Sequence, residues 1–332
     1  MTYNFLGLRG TETGEIVPES ASRELGDFEA CVKVTHSGVC GTDEHYLKSG
    51  ITLGHEGIGF VTAVGPRVSL VKVGDRVGFG WNHFFCGKCE PCLVGHDIYC
   101  HNKREYGADD KDIGSFSSGV TWDEKSLYVI PEGIPSAEAA PLMCGGVTVW
   151  SVLASYGIKP YERVGIVGVG GLGHLAIQFA AKMGCEVVVF SGTESKREES
   201  LAFGATEFHA TSGLKDLSHI KKVKHLLMTA NAQPDYSLFS SVVDFMGAIY
   251  VLTVSFGTTP VPMLTLLANG IKIQGSSGAS RSEIIKMLDF AARHKVFPKI
   301  MTYPLTKGGA TEAMSTLRQG KMRYRGVLVM EK

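Results

Sequence analysis

The sequence carries no excess of charge: 33 Lys and Arg balance 33 Asp and Glu over 332 residues. Nucleic acids and anionic membrane surfaces are met by clustered basic residues, and no basic face or charge run is present, so neither partner is expected. Long apolar runs are missing as well, and none approaches the ~18 residues a membrane helix needs. The opening MTYNFLGLRGTETGE lacks a basic stretch followed by an apolar one, so no secretory leader is expected and the expected location is cytoplasmic. Internal repeats and low-complexity tracts are absent. Eight cysteines in a chain this long do not make a disulfide scaffold, and their spacing argues for metal instead. The length allows two domains, each with its own core.

What is present centres on Arg163–Gly184, RVGIVGVGGLGHLAIQFAAKMG. Val164, Ile166, Val167 and Val169 read as a short buried strand. Gly168-x-Gly170-x-x-Gly173 follows at once, with Gly171 and Leu172 completing the turn. His174 to Met183 then carries apolar residues at helical spacing and stops at Gly184. Gly168 allows the tight turn, Gly170 lets backbone approach a pyrophosphate, and Gly173 lets helix pack on strand. Phosphates would sit at the helix N-terminus, where unpaired N–H groups favour negative charge.

Upstream, Phe28–Val34, Gly57–Val64 and Arg76–Phe79 read as strands of a β-rich domain whose loops carry the chemistry. Cys40 and His55, on neighbouring loops, are a thiolate and an imidazole suited to zinc. As an isolated pair they read more readily as core residues than as ligands. Cys144 supplies a third donor, and a catalytic zinc takes three protein ligands and one open position. Between them lies Cys86-x2-Cys89-x2-Cys92-x7-Cys100. Four thiolates at this spacing close a tetrahedral zinc with no open position, which makes that site structural, worth on the order of 10 kcal/mol to folding. Cys31 and Cys185 read as small core residues. His83, His96 and His101 flank an already filled site and are expected at the surface.

The order GHE, four-cysteine lobe, third cysteine and glycine turn resembles the zinc-dependent medium-chain alcohol dehydrogenases. The cinnamyl-alcohol-dehydrogenase-like branch is the most similar, through APLMCGGVTVW, GVGGLGHLAIQFAAKMG, SKREES and MRYRGVLV. The resemblance runs over roughly Ala30 to Val329. It implies a doubly wound parallel (Rossmann) sheet plus a β-rich GroES-like catalytic domain carrying a structural zinc lobe. Residues 1–144 would form the catalytic domain with its lobe at about 84–102. Residues 145–288 would bind NADP, and 289–332 would return to the first domain.

Residue by residue, the resemblance implies Cys40, His55 and Cys144 on the catalytic zinc, with Glu56 the carboxylate that approaches the metal when ligands exchange. Thr42 would hydrogen-bond the substrate oxygen and His45 would pass the proton onward. Asp43 would orient the zinc-bound histidine. Read alone, Thr42 is a turn residue and His45 a solvated helix residue. Thr148 matches a residue beside the nicotinamide, and Arg325 one that reaches the pyrophosphate; their plain alternatives are a buried helix Thr and a surface Arg. Two departures stand out: Gly41 follows Cys40 where this branch often has histidine and polyol-type relatives have glycine, and the 46–53 loop bordering the pocket is short. Cys144 as third ligand argues against the polyol-type enzymes, which usually place a carboxylate there.

From Gly145 strand and helix alternate. Arg163–Val167, Glu186–Phe190, Glu207–His209, His225–Met228, Ala248–Thr253 and Ile271–Gln274 read as six parallel strands, with Met322–Met330 a last strand in the first domain. An NAD site places an acid about twenty residues past the first glycine. Here the second strand leads into Ser191, Thr193, Lys196 and Arg197, whose hydroxyls and charges suit a 2′-phosphate. Glu194 argues the other way, and Lys196 and Arg197 could simply solvate the next helix. Trp81, Phe84 and Phe85 read as substrate-pocket or core aromatics.

The function expected is hydride transfer between NADPH and an aldehyde or ketone, reversible as alcohol oxidation, with two Zn2+ per chain and a homodimer by analogy. Reduction of an activated C=C or C=N bond is the alternative chemistry. A catalytically silent cofactor-binding protein on the same fold is the alternative from another class.

Overall fold

Valines at alternating positions of Glu29–Val39 put Val32 and Val34 in the interior and make this strand the centre of the first sheet. The structure, a computed structural model, describes residues 1–230, 235–254 and 257–331. These form two units, Met1–Val147 with Ala279–Lys332, and Thr148–Gly278.

In the first unit a seven-stranded sheet runs Ile300–Pro304, Arg325–Val329, Glu29–Val39, Gly57–Val64, Arg76–Phe79 and Tyr128–Val129, with Gly119–Asp123 also paired to Glu29–Val39. Val32, Val61, Val77, Phe79 and Trp122 pack as one core of this sheet. Arg325–Val329 lies antiparallel to Glu29–Val39 with Gly326 opposite Val39, so Arg325 comes alongside Cys40. An antiparallel hairpin, Thr2–Gly10 with Ile16–Glu24, precedes the sheet. The sequence reading did not anticipate it, because Ile16–Glu24 is polar and mostly exposed and so carries no apolar period. The expected return at 289 falls inside the helix Arg281–His294, all of which belongs to the first unit.

The helical run Ser136–Ser155 is 20 residues long and apolar enough to cross a membrane, contrary to the expectation that no run approaches that length. Its glycines, serines and threonine interrupt the apolar run in sequence without interrupting the helix. Of its most apolar stretch, 72% is buried inside the protein.

The second unit holds six strands in the spatial order Glu207–Ala210, Glu186–Ser191, Arg163–Val167, Val223–Met228, Val243–Val251 and Lys272–Gly275. All neighbours are parallel. Numbered along the chain, that order is 3-2-1-4-5-6, the dinucleotide-binding Rossmann topology, with its switch point at the end of Arg163–Val167.

His225 is buried in this unit, its Nδ1 3.0 Å from Tyr250 Oη and its Nε2 3.0 Å from Glu162 Oε2. Burial lowers its pKa below the ordinary histidine value; Glu162 pulls it up and Lys224 adds to the lowering. The unfolded chain therefore takes up a proton at His225 before the folded one does. This site's stability is complete above the unfolded histidine pKa of about 6.5 and is lost as the pH falls below it. His225→Gln, with no proton to gain, is expected to flatten the fall in urea midpoint between pH 7 and 5. An unchanged slope would contradict the assignment.

Candidate active site

Cys40 directly follows the central strand and caps the N-terminus of the helix Gly41–Tyr46, its own N–H donating to Asp43 Oδ2 at 2.9 Å. His55 follows Gly54, whose φ of +94° is left-handed backbone that glycine adopts without strain. Cys144 sits in a π-helical turn, Leu142–Gly146, directly after Pro141. These elements bring one donor atom each of Cys40, His55, Glu56 and Cys144 within 4.8 Å of one another. The two sulfurs are 4.0 Å apart.

His55 Nδ1 lies 3.0 Å from Asp43 Oδ1, and both side chains are wholly buried. Its Nε2 is buried with no hydrogen-bond partner among the described residues. A buried ring nitrogen left bare beside two thiols suits a soft-ligand metal site, because coordination replaces the missing hydrogen bond. Zinc therefore fits this donor set. Hydrogen bonding to Cys144 draws the Cys40 thiol well below its ordinary pKa, outweighing burial.

Glu56 is fully buried and ion-paired to Arg325, itself buried. Burial pushes the Glu56 carboxyl up to about 7 against the pull of the guanidinium. Arg325, expected at a pyrophosphate, is held in the interior of the first unit on a carboxylate of this candidate donor set. Thr42 Oγ1 lies 3.6 Å from Cys40 Sγ. His45 is exposed, one turn further along the helix, on the wall of a surface depression shared with Glu44, Lys48 and Arg318.

The Sγ atoms of Cys86, Cys89, Cys92 and Cys100 also lie within 4.8 Å of one another, a donor set that fits a closed tetrahedral zinc. Phe85 is buried against these sulfurs and belongs to the lobe's own core. Phe84 is half-buried, with Arg104 5.4 Å above its ring. Trp81 packs edge-on against His55 at 5.8 Å. His96 and His101 are exposed, whereas His83, expected at the surface, is buried. Its ring sits 4.2 Å from Trp122 and its Nδ1 3.3 Å from Asp110 Oδ2. The apolar face of a ring beside a carboxylate partner explains this burial, and neither neighbour is adjacent in sequence.

In the second unit Gly168 has φ +93°, and a Cβ on Gly173 would sit 1.9 Å from Gly168 O. Beside Gly170 no described atom lies within 4 Å of the Cβ position. Gly171 and Leu172 lead directly into the helix Gly173–Lys182. Lys196 Nζ donates to Val169 O at 2.5 Å, which ties its ammonium to the glycine turn. Arg197 is turned to Glu194, donating at 2.5 and 3.0 Å, so the two opposing charges neutralise each other. Ser191 is buried at its strand end, and Thr193 Oγ1 lies 2.9 Å from Ser195 Oγ. Thr148 opens the second unit, half-buried in the helix Val147–Ser155.

Residues 26–132 match the alcohol dehydrogenase GroES-like domain, and residues 171–293 match the zinc-binding dehydrogenase family. Aldehyde reductase AdhA of Synechocystis is 33% identical over 312 residues, 92% of each chain. The chain belongs to the zinc-dependent medium-chain alcohol dehydrogenase family. Within that family it is of the cinnamyl-alcohol-dehydrogenase-like kind. The structure of a cinnamyl alcohol dehydrogenase from Sorghum bicolor matches with a TM-score of 0.91 at 30% identity, covering 99% of this chain and 100% of that one. The Helicobacter pylori cinnamyl alcohol dehydrogenase, solved with NADP(H), gives 0.91 at 25% identity, covering 100% and 99%. NADP-dependent alcohol dehydrogenase C 1 of Mycolicibacterium smegmatis is 32% identical, covering 92% of this chain and 91% of its own.

One residue of this medium-chain dehydrogenase escaped the sequence reading altogether. Tyr106, buried, donates its hydroxyl to Asp43 Oδ1 at 2.9 Å. It lies in no motif, and only its position six residues after Cys100 hinted at the metal region.

Proposed function

We propose that this enzyme reduces aldehydes with NADPH, and in reverse oxidises the corresponding alcohols, at a zinc held by Cys40, His55 and Cys144. As a member of its family it transfers hydride between a nicotinamide cofactor and a carbonyl or alcohol carbon. The observation that carries the zinc assignment is the convergence of two thiols on a buried imidazole nitrogen that has no hydrogen-bond partner among the described residues. When bound, the zinc polarises the carbonyl oxygen while NADPH supplies the hydride. Thr42 hydrogen-bonds that oxygen, and the helix bearing it carries His45 outward to solvent, where its imidazole takes or returns the proton. Asp43 holds His55 in one tautomer with Nε2 free for the metal. Glu56, balanced by Arg325, provides a carboxylate at the metal during ligand exchange. A second zinc, on Cys86, Cys89, Cys92 and Cys100, is structural.

The preference for NADPH is supported by Lys196 at the glycine turn and by the pairing of Glu194 with Arg197, which withdraws the acid that would favour a ribose hydroxyl. Ser191 and Thr193 add hydroxyls at the same strand end. Arg197 contributes through Glu194 and is not itself proposed as a phosphate ligand. Thr148 is placed beside the nicotinamide by family analogy alone. A cytoplasmic homodimer completes the proposal; six cysteines held as metal-ligating thiolates and none paired as a disulfide suit a reducing compartment.

Metal content per chain, measured with NADPH and NADH oxidation against a small aldehyde panel, tests this reading. Two zincs and NADPH-driven turnover are expected, with Cys144→Ser reduced to one zinc and inactive. Lys196→Ala is expected to raise KM for NADPH about tenfold while leaving that for NADH nearly unchanged, the loss of one charge-assisted hydrogen bond. Full activity with two zincs in Cys144→Ser would overturn the ligand assignment. Turnover of activated alkenes or imines without carbonyl turnover would overturn the reaction.

A further inference from the structure

Four donors converge on the Asp43 carboxylate, which is wholly buried. His55 Nδ1 lies 3.0 Å from Oδ1, Tyr106 Oη donates to Oδ1 at 2.9 Å, and Gly54 N–H donates to Oδ1 at 3.2 Å. Cys40 N–H donates to Oδ2 at 2.9 Å. A single carboxylate thus sets the imidazole of one candidate zinc ligand and the backbone of another. We infer that Tyr106 is a positioning residue for the catalytic metal, its hydroxyl locking the Asp43 carboxylate in the rotation that aims His55 and Cys40 at one point. The inference rests on the zinc reading of the Cys40, His55 and Cys144 cluster.

The geometry singles out the hydroxyl. Its oxygen accepts from Gly54 N–H at 3.1 Å while its hydrogen goes to Asp43, so the phenol bridges the residue immediately before His55 to the carboxylate that orients it. Asp43 as a carboxylate has only acceptors, which fixes the direction of that bond. The Tyr106 ring packs on the His55 ring at 4.9 Å, with Tyr46 at 5.4 Å and Trp81 at 5.5 Å. Rotation of the ring is therefore blocked on several sides. Its backbone is fixed as well: Tyr106 N–H donates to Trp81 O at 2.9 Å, and Glu105 accepts from Trp81 Nε1 at 2.9 Å. Groups that orient metal ligands in this way change metal affinity by about 10- to 100-fold when removed, without touching the metal.

Tyr106→Phe keeps the ring contacts and removes only the hydroxyl. Zinc transfer from the holoenzyme to a chromogenic chelator is expected to show one of two metals bound at least tenfold more weakly, with the four-cysteine metal unchanged. The d–d bands of the cobalt(II)-substituted variant are expected to shift, because the ligand geometry changes; a loss of general core stability would not move them. In an Asp43→Asn background the same substitution is expected to change affinity less than twofold, as it acts through that carboxylate. Wild-type zinc retention and an unshifted cobalt spectrum in Tyr106→Phe would overturn the inference while leaving the zinc site standing, even if the unfolding midpoint fell. A wild-type enzyme that binds metal only at the four cysteines would overturn the zinc site and the inference together.

Discussion

Cys100→Ser is expected to release the metal of the four-cysteine lobe and unfold the segment around residues 86–100. The lobe has almost no other source of stability. Its buried interior is Phe85, Cys92 and Cys100, with Cys86 and Cys89 against them. Its regular structure amounts to two short turns, Glu90–Leu93 and Asp97–Tyr99. The large apolar side chains nearby, Leu93 and Val94, are 72% and 61% exposed and bury little. Cys100 Sγ accepts N–H groups from Cys86 and Asn102, each at 3.4 Å, so it is the sulfur around which the loop closes. A structural zinc of this kind is worth on the order of 10 kcal/mol in zinc-finger peptides, far more than one buried phenylalanine supplies. The loss reaches beyond the lobe, because Asp97 accepts from both Arg281 N and Arg281 Nε, at 3.0 and 2.5 Å, at the start of the helix Arg281–His294. Metal analysis with limited proteolysis checks this: one zinc per chain and rapid cleavage near Lys88 are expected. Two zincs and wild-type resistance would contradict it.

Arg325→Met is expected to cost about 3–5 kcal/mol of stability, the usual consequence of removing one partner of a buried ion pair. The Glu56 side chain is 0% exposed and that of Arg325 6%, so water cannot replace the lost counter-charge. Without the guanidinium, Glu56 must either remain charged in the interior or take up a proton, and both are unfavourable there. Adding Glu56→Gln to Arg325→Met is expected to recover most of the loss, since it removes the stranded charge. Urea denaturation of the single and double variants measures this. The sequence resemblance implied a different outcome, because a residue on the pyrophosphate would, on substitution, raise KM for the cofactor and leave stability alone. A stability change under 1 kcal/mol with a raised KM would favour that earlier reading over the buried pair.

The parts of this protein that are local in the chain were legible without coordinates. The cysteine spacing of 86–100 is legible because four soft donors within fifteen residues can reach one point, and their sulfurs do lie within 4.8 Å of one another. The glycine turn is legible for the same reason: φ +93° at Gly168 and the close approach at Gly173 are demands on single positions. Strand bounds such as Gly57–Val64 and Arg163–Val167 follow from short-range apolar pattern. The hairpin of Thr2–Gly10 with Ile16–Glu24 is not legible in this way, because the polar strand Ile16–Glu24 carries no such pattern.

Residue chemistry and spacing by themselves pointed to the family, to the two sets of donor side chains that the fold brings together, and to the dinucleotide turn. Only the tertiary structure decided which side chains support them. Tyr106 reaches Asp43 across 63 positions, and Arg325 reaches Glu56 across 269. The second pairing exists because Gly326 registers against Val39, a long-range strand alignment that leaves no trace in local periodicity. Arg197 beside Glu194 shows the same limit at short range, since charge composition suggested a phosphate ligand and side-chain geometry made an ion pair. Ligand identity is a property of residue type, whereas the partner that orients a ligand is a property of where the chain folds back.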